Sequence, residues 1–150
     1  MRARNRLSFF ILTAVVAVSL FALPSNAQAE QANIEALLIL ASNNPAPLDA
    51  RLDKVEYRLR RIFGFETYRY YGGGSTILSL PGQSILALGN GNNLTINARS
   101  KKGRIEAQIV WEKEGERVLN TTVAMSKNTP VILGGSTQPD GTLIIVLTAN

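Results

Sequence analysis

The side chains able to do chemistry are few, and two residue types are missing altogether. The 150-residue chain has no histidine and no cysteine. A Ser-His-Asp or Cys-His constellation therefore cannot be assembled, and zinc would find only carboxylates as side-chain ligands. General acid-base work would fall to Asp and Glu, which need burial or a like-charged neighbour to titrate near neutrality. Glu66, Glu106 and Asp140 are the acids outside charge-paired runs. Glu106 falls on the polar side of a strand pattern, and Asp140 belongs to the turn signal Pro139-Asp140-Gly141. The expectation is a protein with no catalytic residues, no metal site and no cofactor. Gly72-Gly73-Gly74-Ser75-Thr76 precedes a strand pattern and has no lysine, so it does not fit a phosphate-cradling loop. It reads as a flexible joint.

What remains is a candidate binding surface. Arg51, Lys54, Arg58 and Arg61 recur at spacings of three, four and three, a basic stripe along a helix. Tyr68 and Tyr70 share one face of a strand, with Arg69 on the other. Such a surface suits an acidic partner, a lipid head group or a glycan, whereas a solvated helix face with Glu56 paired to Arg60 is the plainer reading of the stripe. Trp111 and the tyrosines would otherwise serve as core and sheet surface.

The elements that position these residues are legible from periodicity. Leu48, Leu52, Val55, Leu59 and Ile62 stack on one face of a helix predicted over 48–63, capped by Asn44 or Ala46 and stopped by Gly64. Ile34–Ala41 reads as a buried strand, with a short helix as the alternative, after a loose leader 30–33, and 65–71 reads as a second strand. A helical crossover between the two predicts a parallel, right-handed unit.

From Ser75 to Asn150 apolar runs of strand length alternate with turn signals, among them Asn90-Gly91, Lys102-Gly103, Glu114-Gly115 and Asp140-Gly141. Asn-Gly and Asp-Gly suit the primed turns of hairpins. Strands are predicted near 76–80, 83–88, 94–100, 104–111, 117–125, 131–133 and 142–148. Leu143-Ile144-Ile145-Val146-Leu147 is apolar on both faces, so it should lie centrally, with the helix on one side. The fold class expected is α+β, mainly antiparallel sheet in a sandwich-like hairpin array with one amphipathic helix packed on it.

The first 29 residues have the tripartite pattern of a cleavable export signal. Arg2, Arg4 and Arg6 precede an apolar run from Leu7 to Leu23, and Ala27-Gln28-Ala29 supplies the small residues of a cleavage site. Residues 30–150 are then one β-rich domain. Of 16 Lys+Arg, three leave with the signal, so 13 remain against 11 Asp+Glu. A net charge so small is no footprint for nucleic acid. Without cysteine the domain holds by packing alone, and no lipid can be attached through a thiol. No membrane span is expected after cleavage. The resulting expectation is a non-enzymatic protein, periplasmic or extracellular, that mediates association with an envelope or secreted protein. A module binding carbohydrate or another surface polymer through the tyrosines and the basic stripe is the alternative.

Overall fold

The computed structural model describes residues 28–150. The export signal read over residues 1–29 therefore lies almost wholly outside the described residues. Eight strands follow in the order β1 (Glu30–Ser42), β2 (Thr67–Leu80), β3 (Gly82–Gly89), β4 (Asn92–Lys101), β5 (Arg104–Lys113), β6 (Glu116–Met125), β7 (Val131–Gln138) and β8 (Gly141–Ala149). A 3-10 turn (Ala50–Leu52) leads into the helix α1 (Asp53–Phe63) between β1 and β2. The strands form two four-stranded sheets, one ordered β2-β1-β8-β7 and the other β3-β4-β5-β6. Every ladder between these strands is antiparallel. The α+β, sandwich-like, mainly antiparallel architecture is thus present.

The turn chemistry accounts for the second sheet. Asn90-Gly91, Lys102-Gly103 and Glu114-Gly115 all have positive φ at both residues, with values from 51° to 83°. Paired positive φ is the signature of the primed turn whose twist matches the strands it joins. β3 to β6 accordingly run as a meander, with Leu94, Ile96 and Ala98 of β4 and Ile105, Ala107, Ile109 and Trp111 of β5 on the buried face. The indole of Trp111 is wholly buried, and its Nε1–H donates to Asn92 Oδ1 at 3.0 Å. Asn92 in turn donates to the carbonyls of Gly89 and Asn90. Trp111 is a core residue.

β1 and β8 are central in the first sheet and apolar on both faces. Ala36, Leu38, Leu143, Ile145 and Leu147 face the second sheet. Ile39, Ala41, Ile144 and Val146 face the other way, onto Leu52, Val55 and Leu59 of the helical segment. The molecule is therefore helix on sheet on sheet. Only the middle of the expected helical stripe is buried: Leu48 is 74% exposed and Ile62 60% exposed. Leu48 precedes the helix, which begins later than 48. At the other end Phe63, not Ile62, takes the inward position four residues after Leu59. Neither Asn44 nor Ala46 is the cap: Asp49 caps the 3-10 turn, its carboxylate accepting from the Arg51 backbone N–H at 3.1 Å, and α1 follows from Leu52 without a side-chain cap.

Three further expectations are corrected. Residues 30–33 are not a loose leader but the start of β1, with Glu30 opposite Leu80. β1 and β2 are antiparallel, because Ser42 and Thr67 are paired and the helical connection returns to the end it left. Gly72, Gly73 and Gly74 are no joint, since they lie inside β2 opposite Leu38, Leu37 and Ala36.

Those glycines let two backbones meet. A Cβ on Gly72 would lie 1.9 Å from the Leu88 carbonyl oxygen, and one on Gly74 3.0 Å from Leu86 Cδ1. Thr76 and Ser84 share a hydroxyl hydrogen bond at 3.0 Å, and Asn90 donates from Nδ2 to the Tyr71 carbonyl. β2 and β3, edge strands of different sheets, thereby cover each other. Gly72→Ala is expected to lower stability by about 1–3 kcal/mol in urea denaturation, the usual cost of forcing a methyl into filled space. Gly134→Ala, where a Cβ meets nothing within 4 Å, should leave the midpoint within about 0.5 kcal/mol of wild type.

Candidate functional site

The residues singled out by the sequence divide between a groove and the core. Arg51, Lys54 and Arg58 line one concavity, of about 580 Å³, on the helix side of the first sheet, together with Glu35, Asp53 and Thr148. An adjoining groove of about 550 Å³ is lined by Arg51 and Tyr70 with Asn33, Glu35 and Ser75. Arg61 stands apart, its guanidinium 5.7 Å from the centre of the Tyr57 ring. Tyr68 is 2% exposed and belongs to the core between helix and sheet. Its hydroxyl donates to the Leu59 carbonyl at 3.0 Å and accepts from the Phe65 N–H at 3.2 Å, while burial pushes its pKa up. Tyr68 joins helix to sheet and offers no face to a ligand.

Arg51 is the fixed point of the groove. Asp49 accepts from its Nε at 2.9 Å and its Nη2 at 2.7 Å, a bidentate pair. With the Arg51 backbone N–H, the Tyr70 N–H at 3.2 Å brings the donors on Asp49 to four, and the guanidinium lies 4.1 Å from the Tyr70 ring centre. One face of Tyr70 is thus occupied. The Arg51 side chain, helped by the backbone N–H groups of Arg51 and Tyr70, holds the Asp49 carboxyl far below the usual range, and Asp49 raises the Arg51 pKa in return. Glu56 engages Arg60 as an i,i+4 pair at 2.7 Å. Asp49 pairs with Arg51, and Glu35 and Asp53 line the concavity beside Lys54 and Arg58, so acids are interspersed among the cations of the stripe.

The acids weighed for catalysis are placed as follows. Glu106 accepts from Lys101 at 2.6 Å and also from Arg99, and these two cations, Lys101 first, lower its pKa. That is opposite to the shift a general acid needs. Glu66 and Asp140 are both exposed, and the Glu66 backbone N–H donates to Asn43 Oδ1 at 3.2 Å. No cluster of three or more metal-ligating acids occurs among the described residues.

The second candidate is an edge, which residue-by-residue chemistry does not reveal. With β2 and β3 covering each other, β6 and β7 are the open edges among the described strands. β7 is guarded: Pro130 precedes it, its pairing with β8 is broken between Leu133 and Ser136, and a Cβ on Gly135 would collide with the Leu143 carbonyl. β6 pairs with β5 without interruption from Leu119↔Trp111 to Met125↔Ile105. From Val118 to Met125 it contains no charge, no proline and no glycine. Val118, Leu119 and Val123 of β6 and Val131 of β7 are only partly buried against the core, so the sandwich is incompletely sealed there. The signal available in the sequence was the missing guard residues of 118–125. It became readable only once the strand order was known.

Comparison with protein-family models, with curated protein sequences and with solved structures finds no match to this chain. No helix among the described residues is long and apolar enough to cross a membrane.

The carboxylate shifts carry a sign. A folded-state pKa below the unfolded value stabilises the fold above the unfolded pKa, and that contribution is lost as pH falls. Asp49 and Glu106 both shift this way. Stability should therefore decline as pH drops below about 4, the ordinary carboxylate range. In urea titrations, Asp49→Asn and Glu106→Gln should each flatten that decline while changing the neutral-pH midpoint much less than Gly72→Ala does. Tyr68→Phe should cost about 1–2 kcal/mol at neutral pH, the usual cost of removing one partner from a buried hydrogen bond, without a pH-dependent component below pH about 8.

Proposed function

We propose that this is an exported, non-enzymatic protein of the bacterial cell envelope or exterior that associates with another polypeptide by taking up an extended segment along β6. The observation that carries the reading is the unguarded edge. An exposed strand presents unpaired N–H and C=O groups at alternate residues, and natural sheets normally blunt such edges with charge, proline or a bulge. β7 has two of these devices and β6, over Leu119–Met125, has none. An added strand would gain main-chain hydrogen bonds from β6 and cover Leu119 and Val123.

Export rests on the signal pattern of residues 1–29. The first strand begins at Glu30, so cleavage after Ala29 removes no paired residue. The cysteine-free core suits a compartment on either side of the redox divide.

The carbohydrate reading stands second, on the groove beside Arg51 and Tyr70. Amide, carboxylate, guanidinium, hydroxyl and one half-buried ring line it, which fits a neutral sugar better than an anionic polymer. The guanidinium already seated on Tyr70 leaves little ring face for stacking.

Proline on the edge separates the two readings. Successive N–H groups of β6 point alternately to β5 and outward, so one of Asn120→Pro and Thr121→Pro removes only an outward donor. Whichever variant keeps a cooperative melt should lose a partner that the wild-type protein retains from envelope extract. Arg51→Ala and Tyr70→Ala should retain it. Loss on Tyr70→Ala, with the tolerated proline silent, would transfer the reading to the groove.

A further inference from the structure

We infer that the strand taken up by β6 is β6 of a second copy of this chain, giving a two-fold dimer with one continuous eight-stranded sheet. The inference rests on the strand-addition reading above and names the partner for it.

The residues of β6 are complementary to themselves. A two-fold axis normal to the sheet brings two identical strands together antiparallel, and the contact is the same patch twice. With the axis at Thr121, Leu119 of one copy stands opposite Val123 of the other, and Thr121 opposite Thr121. These three are on the core-facing side of β6, since their partners on β5 are the buried Trp111, Ala107 and Ile109. On the outer side Asn120 meets Thr122, and the regular pairing stops at Val118, where a bulge against β5 turns that residue toward the core. The self-paired segment Leu119–Val123 contains no charged residue, so no like charges face each other within it.

Each inner pair is of a kind that favours cross-strand contact, apolar on apolar and threonine on threonine. An axis normal to the sheet also keeps the two core-facing sides on the same side of the joined sheet. Leu119 and Val123, partly buried against the core in one copy, then form an unbroken apolar row across the junction. The other open edge cannot do this, because the bulge at Gly134 and Gly135 interrupts β7 at its centre. A net charge of only +2 after signal removal, from 13 basic and 11 acidic residues, opposes pairing of two copies weakly.

The position on the axis supplies a test that no other partner would pass. Sedimentation of the purified exported protein across the micromolar to submillimolar range should show a monomer-dimer equilibrium. Thr121→Lys and Thr121→Glu each put like charges directly opposite, and should raise the dimer Kd by about five-fold or more. Mixing the two variants should restore dimer at or beyond the wild-type level. As a second probe, in a chain without cysteine, Thr121→Cys should cross-link to itself under mild oxidation faster than Asn120→Cys, whose counterpart across the axis is Thr122. Wild-type protein that stays monomeric, a mixture that does not re-associate, or equal cross-linking at both positions would overturn self-pairing. A monomer whose extract capture still depends on the tolerated β6 proline would leave strand addition standing with a different partner. A monomer that captures nothing would remove both.

Discussion

The constraint on which the architecture depends is the close approach of two main chains where β2 runs beside β3. Any side chain at Gly72 would occupy the space of the Leu88 carbonyl. Because β2 belongs to one sheet and β3 to the other, that contact closes the sandwich along one side. On the opposite side β6 and β7 approach each other over a shorter stretch, and although Met125 and Leu133 are buried, Val118, Leu119, Val123 and Val131 are only partly covered. A closed sheet has no edge to offer, whereas a sandwich closed on one side has two. The functional reading follows from that asymmetry and from the fact that only one of the two open edges is guarded.

The helix depends on the same sheet. β1 and β8 are apolar on both faces, so the second sheet can cover only half of what they expose. Leu52, Val55 and Leu59 cover the rest, and Tyr68 ties the helix backbone to β2 through its hydroxyl. The charged residues are then left to the surface, where some are matched locally: Asp49 with Arg51, Glu56 with Arg60, and Glu106 with Arg99 and Lys101. Exposed pairs of this kind add little to stability and offer little net field to a charged ligand. They leave the main-chain edge as the surface with unmet bonding capacity.

Local patterns in the sequence were a good guide to the local structure. The glycine turns placed the hairpins of the second sheet, and the double-faced run Leu143–Leu147 placed β8 at the centre with the helix over it. Relations between distant segments were not legible. The antiparallel pairing of β1 with β2 depends on where the connection 43–66 returns, which no periodicity records. Gly72-Gly73-Gly74 reads locally as a loose joint, and its role inside a strand appears only when β3 lies against it. Tyr68 and Tyr70 look equivalent at alternate positions, yet one is sealed under the helix and the other borders the groove. Leu48 and Ile62 extend the helical stripe on paper, but the helix starts at Asp53 and Phe63 takes the inward place. Edge status, which carries the functional reading, is a property of strand order alone.

The central claim is that β6 is an open edge filled by association. Residue-resolved amide hydrogen exchange of residues 30–150, followed over dilution, tests it most directly. The account predicts that alternate amides from Leu119 to Met125 exchange rapidly in dilute solution, while those of β4 and β5 stay protected, and that the fast set becomes protected as the edge is occupied. Protection of every β6 amide at all dilutions, equal to that of β5, would show that the edge is already covered within the chain and would contradict the account.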